Sequence, residues 1–238
     1  MPQIAPPPPF DPVVAAGIGG LAWLIAGAVL WIWRRHAPAT AGRATIAVLA
    51  WLTFTGALAA SGVLARLDLR PPPAMLLIVA VLGVAIGFGL SRTGGTLAAA
   101  VPLVTLIGLQ VIRLPLELVM HRAADRGIMP PALSYGGYNF DIVTGAVALV
   151  LALAMKAGLT VPRGVVWAWN VWGLWCLGVI VAVAVASAPI VRAFGDDPRH
   201  INTWVLHLPY IWLPTVLVVV ALAGHVIVTR ALLNARRA

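Results

Sequence analysis

Long apolar runs recur along this chain, and each is long enough to cross the hydrocarbon core of a bilayer. A helix of about 18 or more predominantly apolar residues spans that core, which is ~30 Å thick. Runs of roughly this length occur at seven places, at 13–33, 44–65, 74–90, 96–120, 140–159, 165–188 and 209–228. The sequence therefore predicts an all-α polytopic membrane protein, built as a bundle of seven transmembrane helices.

The composition agrees with a lipid environment. Hydrophobic residues make up 61% of the 238 residues and charged residues only 10%, whereas soluble domains carry about 25% charged residues. A chain with so few charges cannot cover a water-facing surface, so its apolar excess must face lipid. Residues 1–12, which include four consecutive prolines, are expected to form a stiff extended segment. Residues 13–238 are expected to form a single transmembrane domain, because no long linker divides them.

Arginine and lysine are distributed unequally between the two sides of the predicted bundle. If the N-terminus lies outside, the cytoplasmic side holds more of them, as the positive-inside rule requires. The cytoplasmic set is Arg34, Arg35, Arg43, Arg92, Lys156, Arg163, Arg230, Arg236 and Arg237, and the outer set is Arg66, Arg70, Arg122, Arg126, Arg192 and Arg199. We therefore predict a multi-pass protein of the bacterial cytoplasmic membrane, with its N-terminus outside and its C-terminus in the cytoplasm.

The net charge of +9 would suggest a nucleic-acid partner in a soluble protein. Here the bias toward the predicted cytoplasmic face offers another partner, the anionic lipid headgroups of the inner leaflet. Nucleic-acid binding thereby loses its support.

The fourth run carries charged side chains at membrane depth. Within "LIGLQVIRLPLELVMH", residues 106–121, the polar residues are Gln110, Arg113, Glu117 and His121. Their spacing places all four on one stripe of a helix. Arg113 and Glu117 are expected to pair directly, because residues i and i+4 of a helix are neighbours. Ionisable residues inside a span point to a ligand or proton site, but a buried pair can also serve packing alone.

Further polar residues arrive at the same depth from other runs. Asn139 and Asp141 open the fifth run. Asn139 is expected to cap the helix, while Asp141 either complements the helix dipole or faces Arg113. Trp212, near the start of the seventh run, is placed either in this outer pocket or in the interfacial aromatic belt.

Two polar residues lie nearer the predicted cytoplasmic boundary. Asn170 interrupts the sixth run and His225 interrupts the seventh, each about 7–10 Å from that boundary at 1.5 Å per residue. Together with the stripe of the fourth run, they would continue a string of polar side chains through most of the membrane. We predict that Asn170 and His225 form an inner gate.

The histidines raise an alternative, a b-type haem held by two imidazoles. Such ligation requires two imidazoles at one depth on facing helices. His121 and His207 share the predicted outer level, whereas His225 stands alone at the inner level. A membrane electron-transfer protein with haem b at His121 and His207 is therefore one alternative function. No other cofactor and no metal site is predicted.

Small residues at helical spacing offer surfaces for close helix approach. Gly83 and Gly87 lie four residues apart in the third run, and Gly17, Gly19 and Gly20 lie in the first. Such residues pack helices within one bundle or between protomers. A homo-oligomer or a partner in a membrane complex is therefore compatible with the sequence.

Motifs from residue 110 onward resemble a group of uncharacterised bacterial seven-helix membrane proteins. The motifs are "QVIRLPLEL", "YNFDIVTG", "WNVWGL", "SAP" and "YIWLPTVLVVVALAGH", and the resemblance covers roughly the C-terminal half of the chain. It implies the seven-helix architecture and carries no activity. The positions that it marks here are Gln110, Arg113, Glu117, Asn139, Asp141, Asn170, Trp212 and His225; His121 and His207 lie outside the pattern.

The sequence does not decide whether the protein is an enzyme. It favours a protein without catalytic activity, because it contains no Walker, G-x-S-x-G or H-E-x-x-H motif. The leading hypothesis is an integral membrane protein whose outer-half polar pocket binds or conducts a small polar or anionic ligand, an ion or a proton. A structural or assembly subunit of a membrane complex is the remaining alternative. In that case Arg113 and Glu117 would specify packing only.

Overall fold

The computed structural model describes residues 3–234, and within that range the chain is helical. The same range holds no β-strand, only an isolated antiparallel bridge between Ile4 and Arg66. Arg236 and Arg237, which contributed to the predicted cytoplasmic charge, lie outside the described residues. The α-helices are α1 (Pro12–His36), α2 (Pro38–Ala60), α3 (Pro73–Leu90), α4 (Arg92–Ala100), α5 (Leu103–Leu109), α6 (Arg113–Asp125), α7 (Asp141–Lys156), α8 (Arg163–Ala186) and α9 (Val219–Asn234).

Six helices of the described chain are long and apolar enough to cross a membrane. They are α1, α2, α3, α8, the joined segment Leu103–Asp125 that contains α5 and α6, and the joined segment Leu213–Asn234 that ends with α9. The predicted fifth span corresponds to α7, which has 16 residues. At 1.5 Å per residue α7 is about 24 Å long, shorter than the ~30 Å core. The structure thus establishes a polytopic helical bundle in which six helices have spanning length.

The predicted fourth run, 96–120, is not one continuous helix. α4 ends at Ala100, and Val101 is extended, with φ −88° and ψ 127°. The ring of Pro102 causes the break, because it excludes the preceding residue from the helical region. The helix restarts at Leu103, so the charged stripe belongs to a helical segment that is separate from α4.

The helix α9 lies at the centre of the packing, against α3, α4, α5 and α8. Where α9 crosses α3, Gly89 faces Val226, and a Cβ added at Gly89 would lie 2.7 Å from that side chain. Arg230 fixes the crossing, because its Nη1 donates to the carbonyl oxygens of Gly89 and Ser91 at 2.7 and 2.6 Å. Polar side chains on the inner face of α9 are therefore held inside the bundle.

The glycines expected to pack helices behave differently from one another. A Cβ at Gly17 would lie 2.8 Å from the methyl groups of Val119, so Gly17 does allow α1 to approach α6. Gly83 and Gly87 meet nothing within 4 Å among the described residues. Among the described residues these two glycines therefore allow no close helix approach, and their contact with another chain stays a prediction.

Asp11 joins the start of α1 to the end of α6. Its side chain caps α1 by accepting hydrogen bonds from the N–H groups of Val13 and Val14 at 2.9 and 3.0 Å. Arg122 donates two hydrogen bonds to the same carboxylate at 3.2 and 2.8 Å, and Arg126 Nε lies 3.4 Å from it. The hydrogen bonding from Arg122 lowers the pKa of Asp11 to about 2.

We expect Asp11→Asn to lower the melting temperature of the purified protein in detergent, because the arginines lose their charged partner. The pKa of Asp11 is about 2 in the folded state, below its ordinary value of 3.8. The stabilisation is therefore fully present above roughly pH 5 and is lost as the pH falls from 3.8 toward 2. The melting-temperature difference from the parent should be constant near neutral pH and should shrink in acid.

The exposed carboxylate of Asp125, on the same helix as Arg122, provides the matched control. Asp125 contacts only His121, at 3.9 Å, among the ion pairs of the described residues. Asp125→Asn should leave the melting temperature close to that of the parent. Equal losses in the two variants would contradict the role given to Asp11.

Candidate functional site

The charged stripe of the fourth run lies inside the bundle. The helix tightens into a 3-10 turn at Gln110–Ile112, and α6 begins at Arg113. Gln110, Arg113 and Glu117 are 1%, 2% and 1% exposed. The stripe therefore faces protein rather than lipid, as predicted. His121, its fourth member, is partly exposed at the far end of α6.

The buried ion pair of the stripe joins Arg113 to Asp141. Arg113 Nη1 donates to Asp141 Oδ1 at 3.0 Å. The expected direct pair between Arg113 and Glu117 is therefore wrong. The alternative that Asp141 faces Arg113 is the arrangement observed.

The close packing of α7 on α6 explains this choice of partner. A Cβ at Gly145 would lie 2.8 Å from the backbone nitrogen of Leu114 and 3.1 Å from Arg113 Cβ. Only glycine permits so close an approach of the two helices. Because α7 comes so near, its first residue, Asp141, reaches the guanidinium of Arg113 from the neighbouring helix.

Glu117 is held by an amide instead of the guanidinium. Asn139 Nδ2 donates to both carboxylate oxygens of Glu117 at 2.9 Å and also to the Leu133 carbonyl at 3.1 Å. The Asn139 Oδ1 accepts from the backbone N–H of Asp141 at 3.1 Å. Asn139 thus accepts a hydrogen bond from the first residue of α7, but the residue at the cap position is Phe140 and not Asn139, as had been expected. It links the two acidic residues through one side chain.

The interior keeps several polar atoms without a protein partner. Arg113 Nε and Nη2, Gln110 Oε1 and His225 Nε2 are buried and make no hydrogen bond within the described part of the chain. Gln110 is fixed at its other end, where Nε2 donates to the carbonyl of Ala221 on α9 at 3.3 Å. The side of the Arg113 guanidinium that does not face Asp141 therefore still offers two donors.

Asn170 and His225 meet in the interior of the bundle. His225 Nδ1 lies 2.8 Å from Asn170 Oδ1, and Asn170 Nδ2 donates to Thr229 Oγ1 at 2.8 Å. Thr229 in turn donates to the carbonyl of His225 at 2.9 Å. The far edge of the imidazole lies against Gly173, where an added Cβ would stand 2.3 Å from the ring. Asn170 of α8 and His225 of α9 are thus joined by hydrogen bonds, both directly and through Thr229.

The remaining predicted site residues lie elsewhere. Trp212 packs toward α2, since its Nε1 donates to the Leu52 carbonyl at 3.2 Å. His121 stacks on Tyr135 with ring centroids 4.1 Å apart. His207 lies beside the backbone of Pro6, and burial lowers its pKa. The haem alternative with His121 and His207 as ligands stays a prediction from the sequence.

Two residues that support the site had no clear signal in the sequence. Trp169 is buried, donates from Nε1 to the Thr144 carbonyl at 3.0 Å, and lies with its ring 5.1 Å from that of His225. It stands in a run rich in tryptophan, and nothing in the run itself distinguishes it from Trp167, Trp172 or Trp175. Gly173, which makes room for His225, is one of 23 glycines. Gly173 is distinguished from the others by its contact with His225 across the packing of α8 on α9, which the sequence does not show.

Comparison with known proteins finds no matching family model, no matching curated protein and no matching solved structure. The resemblance to bacterial seven-helix membrane proteins therefore stays a prediction from the motifs. The fold and the buried cluster themselves support the description of this chain as a multi-pass membrane protein with buried polar residues.

Breaking the Arg113–Asp141 pair should destabilise the protein strongly. Removing one member of a buried pair leaves the other charge without compensation, which typically costs ~3–5 kcal/mol. We expect Arg113→Ala and Asp141→Ala each to lower the melting temperature and folded yield in detergent. The double variant Arg113→Leu, Asp141→Leu should recover much of the loss, because it removes both members of the ion pair instead of leaving one without its partner.

The exposed pair between Arg192 and Asp196, with nitrogen and oxygen 3.0 Å apart, supplies the control for this series. Exposed pairs contribute only ~0–1 kcal/mol, so Asp196→Ala should be nearly neutral. If Arg113→Ala were as stable as the parent, the guanidinium would not be part of a buried pair.

Proposed function

We propose that this chain is a seven-span protein of the bacterial cytoplasmic membrane, with its N-terminus outside and anionic lipids at its cytoplasmic face. We propose further that the buried polar cluster around Arg113 binds or conducts a small polar ligand or an ion. The ion that we propose is a proton. One observation carries the proposal: two carboxylates, Glu117 and Asp141, are buried in a cluster with the buried guanidinium of Arg113, and that guanidinium pairs with Asp141 and not with Glu117.

The charge count of the cluster favours a proton over an anion. Arg113 and Asp141 compensate each other at 3.0 Å, so an ionised Glu117 adds an unbalanced negative charge. An isolated charge at membrane depth costs at least ~2.5–3.5 kcal/mol. A proton on Glu117 removes that cost, whereas an anionic ligand entering without a proton would increase it. Glu117 is therefore the group assigned to take up and release the proton.

The surroundings of Glu117 suit this role. Its two oxygens are held by the neutral amide of Asn139 at 2.9 Å rather than by a guanidinium that would fix it as a carboxylate. From Glu117 toward the start of the helix, Arg113 of α6 and Gln110 of the preceding 3-10 turn follow at about one-turn intervals and carry polar atoms without partners in the described residues. Such atoms are commonly satisfied by water in folded proteins, and water connects proton-binding groups.

The inner end of the route would be the Asn170–His225 pair. Gln110 contacts α9 at Ala221, one turn before His225, and a Cβ at Gly224 would lie 2.3 Å from Gln110 Nε2. The His225 Nε2 has no partner in the described residues, and an imidazole can accept a proton at one nitrogen while releasing one at the other. We assign Asn170 and His225 as the inner gate.

Proton movement is tested in proteoliposomes that enclose a pH-sensitive dye and are energised by a potassium diffusion potential. We expect the parent to acidify the lumen faster than empty vesicles, and Glu117→Gln to abolish the difference, since an amide cannot carry the proton. Asp125→Asn changes an exposed carboxylate on the same helix and should keep the parent rate. Folding of each variant is verified by its melting temperature.

The same assay separates the proton site from a purely structural role. A folded Glu117→Gln variant that keeps the parent rate would overturn the assignment of Glu117. Exchanging the two charges of the observed ion pair, as Arg113→Asp with Asp141→Arg, would preserve the function of a packing element more readily than that of a proton site. An inactive parent would favour the structural or assembly subunit.

The proposed seven spans make a separate prediction about sidedness. Asp125 precedes α7 and Leu159 follows it, and both are exposed. If α7 crosses the membrane, Asp125→Cys should react with an impermeant maleimide in intact spheroplasts, and Leu159→Cys only after permeabilisation. The native Cys176 is buried, so its background labelling should be low. Labelling of both positions from outside would show that α7 does not cross.

A further inference from the structure

A cavity of about 110 Å³ lies between α3 and α8. Its lateral walls include Ile78 and Val81 of α3 and Ile180 and Ala184 of α8, and its remaining walls come from Met120, Leu133 and the segment 202–218. The lining is almost entirely apolar. We call this cavity the lateral crevice.

The membrane location of the lateral crevice restricts what can fill it. Both α3 and α8 have spanning length, and their residues at the crevice, such as Ile78 and Ile180, are partly exposed. The medium outside these residues is therefore lipid hydrocarbon. Apolar cavities of this order of size exclude water and accept apolar molecules, and native interiors leave few such spaces empty. A hydrocarbon chain from the bilayer is the occupant that this lining fits.

Two polar side chains that line the lateral crevice impose a second requirement on the molecule that occupies it. Asn202 donates from Nδ2 to the Ala184 carbonyl at 3.3 Å, but its Oδ1 has no partner in the described part of the chain, and neither does Trp204 Nε1. Both residues line the crevice and are more than nine-tenths buried. An acceptor and a donor left unpaired in apolar surroundings are unfavourable. A hydroxyl group satisfies both, because it donates and accepts at once.

We propose that the lateral crevice binds a membrane lipid with a free hydroxyl group at the end of a hydrocarbon chain. The chain lies between α3 and α8, and the hydroxyl donates to Asn202 Oδ1 and accepts from Trp204 Nε1. The lipid enters sideways from the bilayer. This proposal does not rest on the proton site proposed above.

The test uses two photoreactive probes in proteoliposomes, a hexadecanol and a hexadecane that carry a diazirine at the same carbon. We expect the alcohol to label residues of α3 and α8 at the crevice several-fold more than the alkane does, and unlabelled hexadecanol to compete. Ala184→Phe fills the crevice and should abolish this labelling. Ala182→Phe, an exposed neighbour outside the crevice, should leave it unchanged.

Trp204→Phe tests the hydroxyl separately, because it removes the indole N–H and keeps an aromatic ring. Alcohol labelling in this variant should fall to the level of the alkane. Equal labelling by both probes in the parent, or no competition by unlabelled hexadecanol, would overturn the proposal. The competition experiment uses the parent protein, so it decides the question even if Ala184→Phe fails to fold.

Discussion

The ion pair between Arg113 and Asp141 is the constraint on which the interior of this bundle depends. A guanidinium at membrane depth must be compensated by a neighbour, and the neighbour here is the first residue of α7. The pair therefore requires α7 to start inside the bundle and to lie close to α6, which Gly145 permits. This placement accounts for the short length of α7. The chain before it, instead of extending the helix outward, forms the loop that brings Asn139 to Glu117.

The two carboxylates beside Arg113 have different surroundings and therefore different capacities. Asp141 contacts the guanidinium directly, and its backbone N–H donates to Asn139 Oδ1. Glu117 receives only amide hydrogen bonds, so its charge is not neutralised by a partner of its own. A cluster built for packing alone would be complete with one carboxylate. The second is the feature that packing does not explain, and it is the basis for assigning a proton to this site.

Hydropathy and helical period are local properties, and they were sufficient to predict the helical membrane architecture and the burial of Gln110, Arg113 and Glu117. The partner of Arg113 depends on how closely two helices approach, which is set by Gly145 and is invisible to a pattern within α6. The break before Leu103 was readable in principle, because Pro102 restricts Val101. The position of Trp212 was not, because its hydrogen bond to Leu52 joins segments 160 residues apart.

The helix α9 and the residue Leu133 connect the polar interior to the rest of the bundle. α9 carries Ala221, which binds Gln110, and His225, which binds Asn170, while its other contacts hold α3 through Arg230. Leu133 accepts a hydrogen bond from Asn139 and also lines the lateral crevice. A displacement of α9 would therefore alter both the contact between Gln110 and Ala221 and the contact between His225 and Asn170. A displacement at Leu133 would alter the hydrogen bonds that Asn139 donates to Glu117. Since interior packing is dense and transmits strain, neither α9 nor Leu133 can move without changing the buried polar cluster.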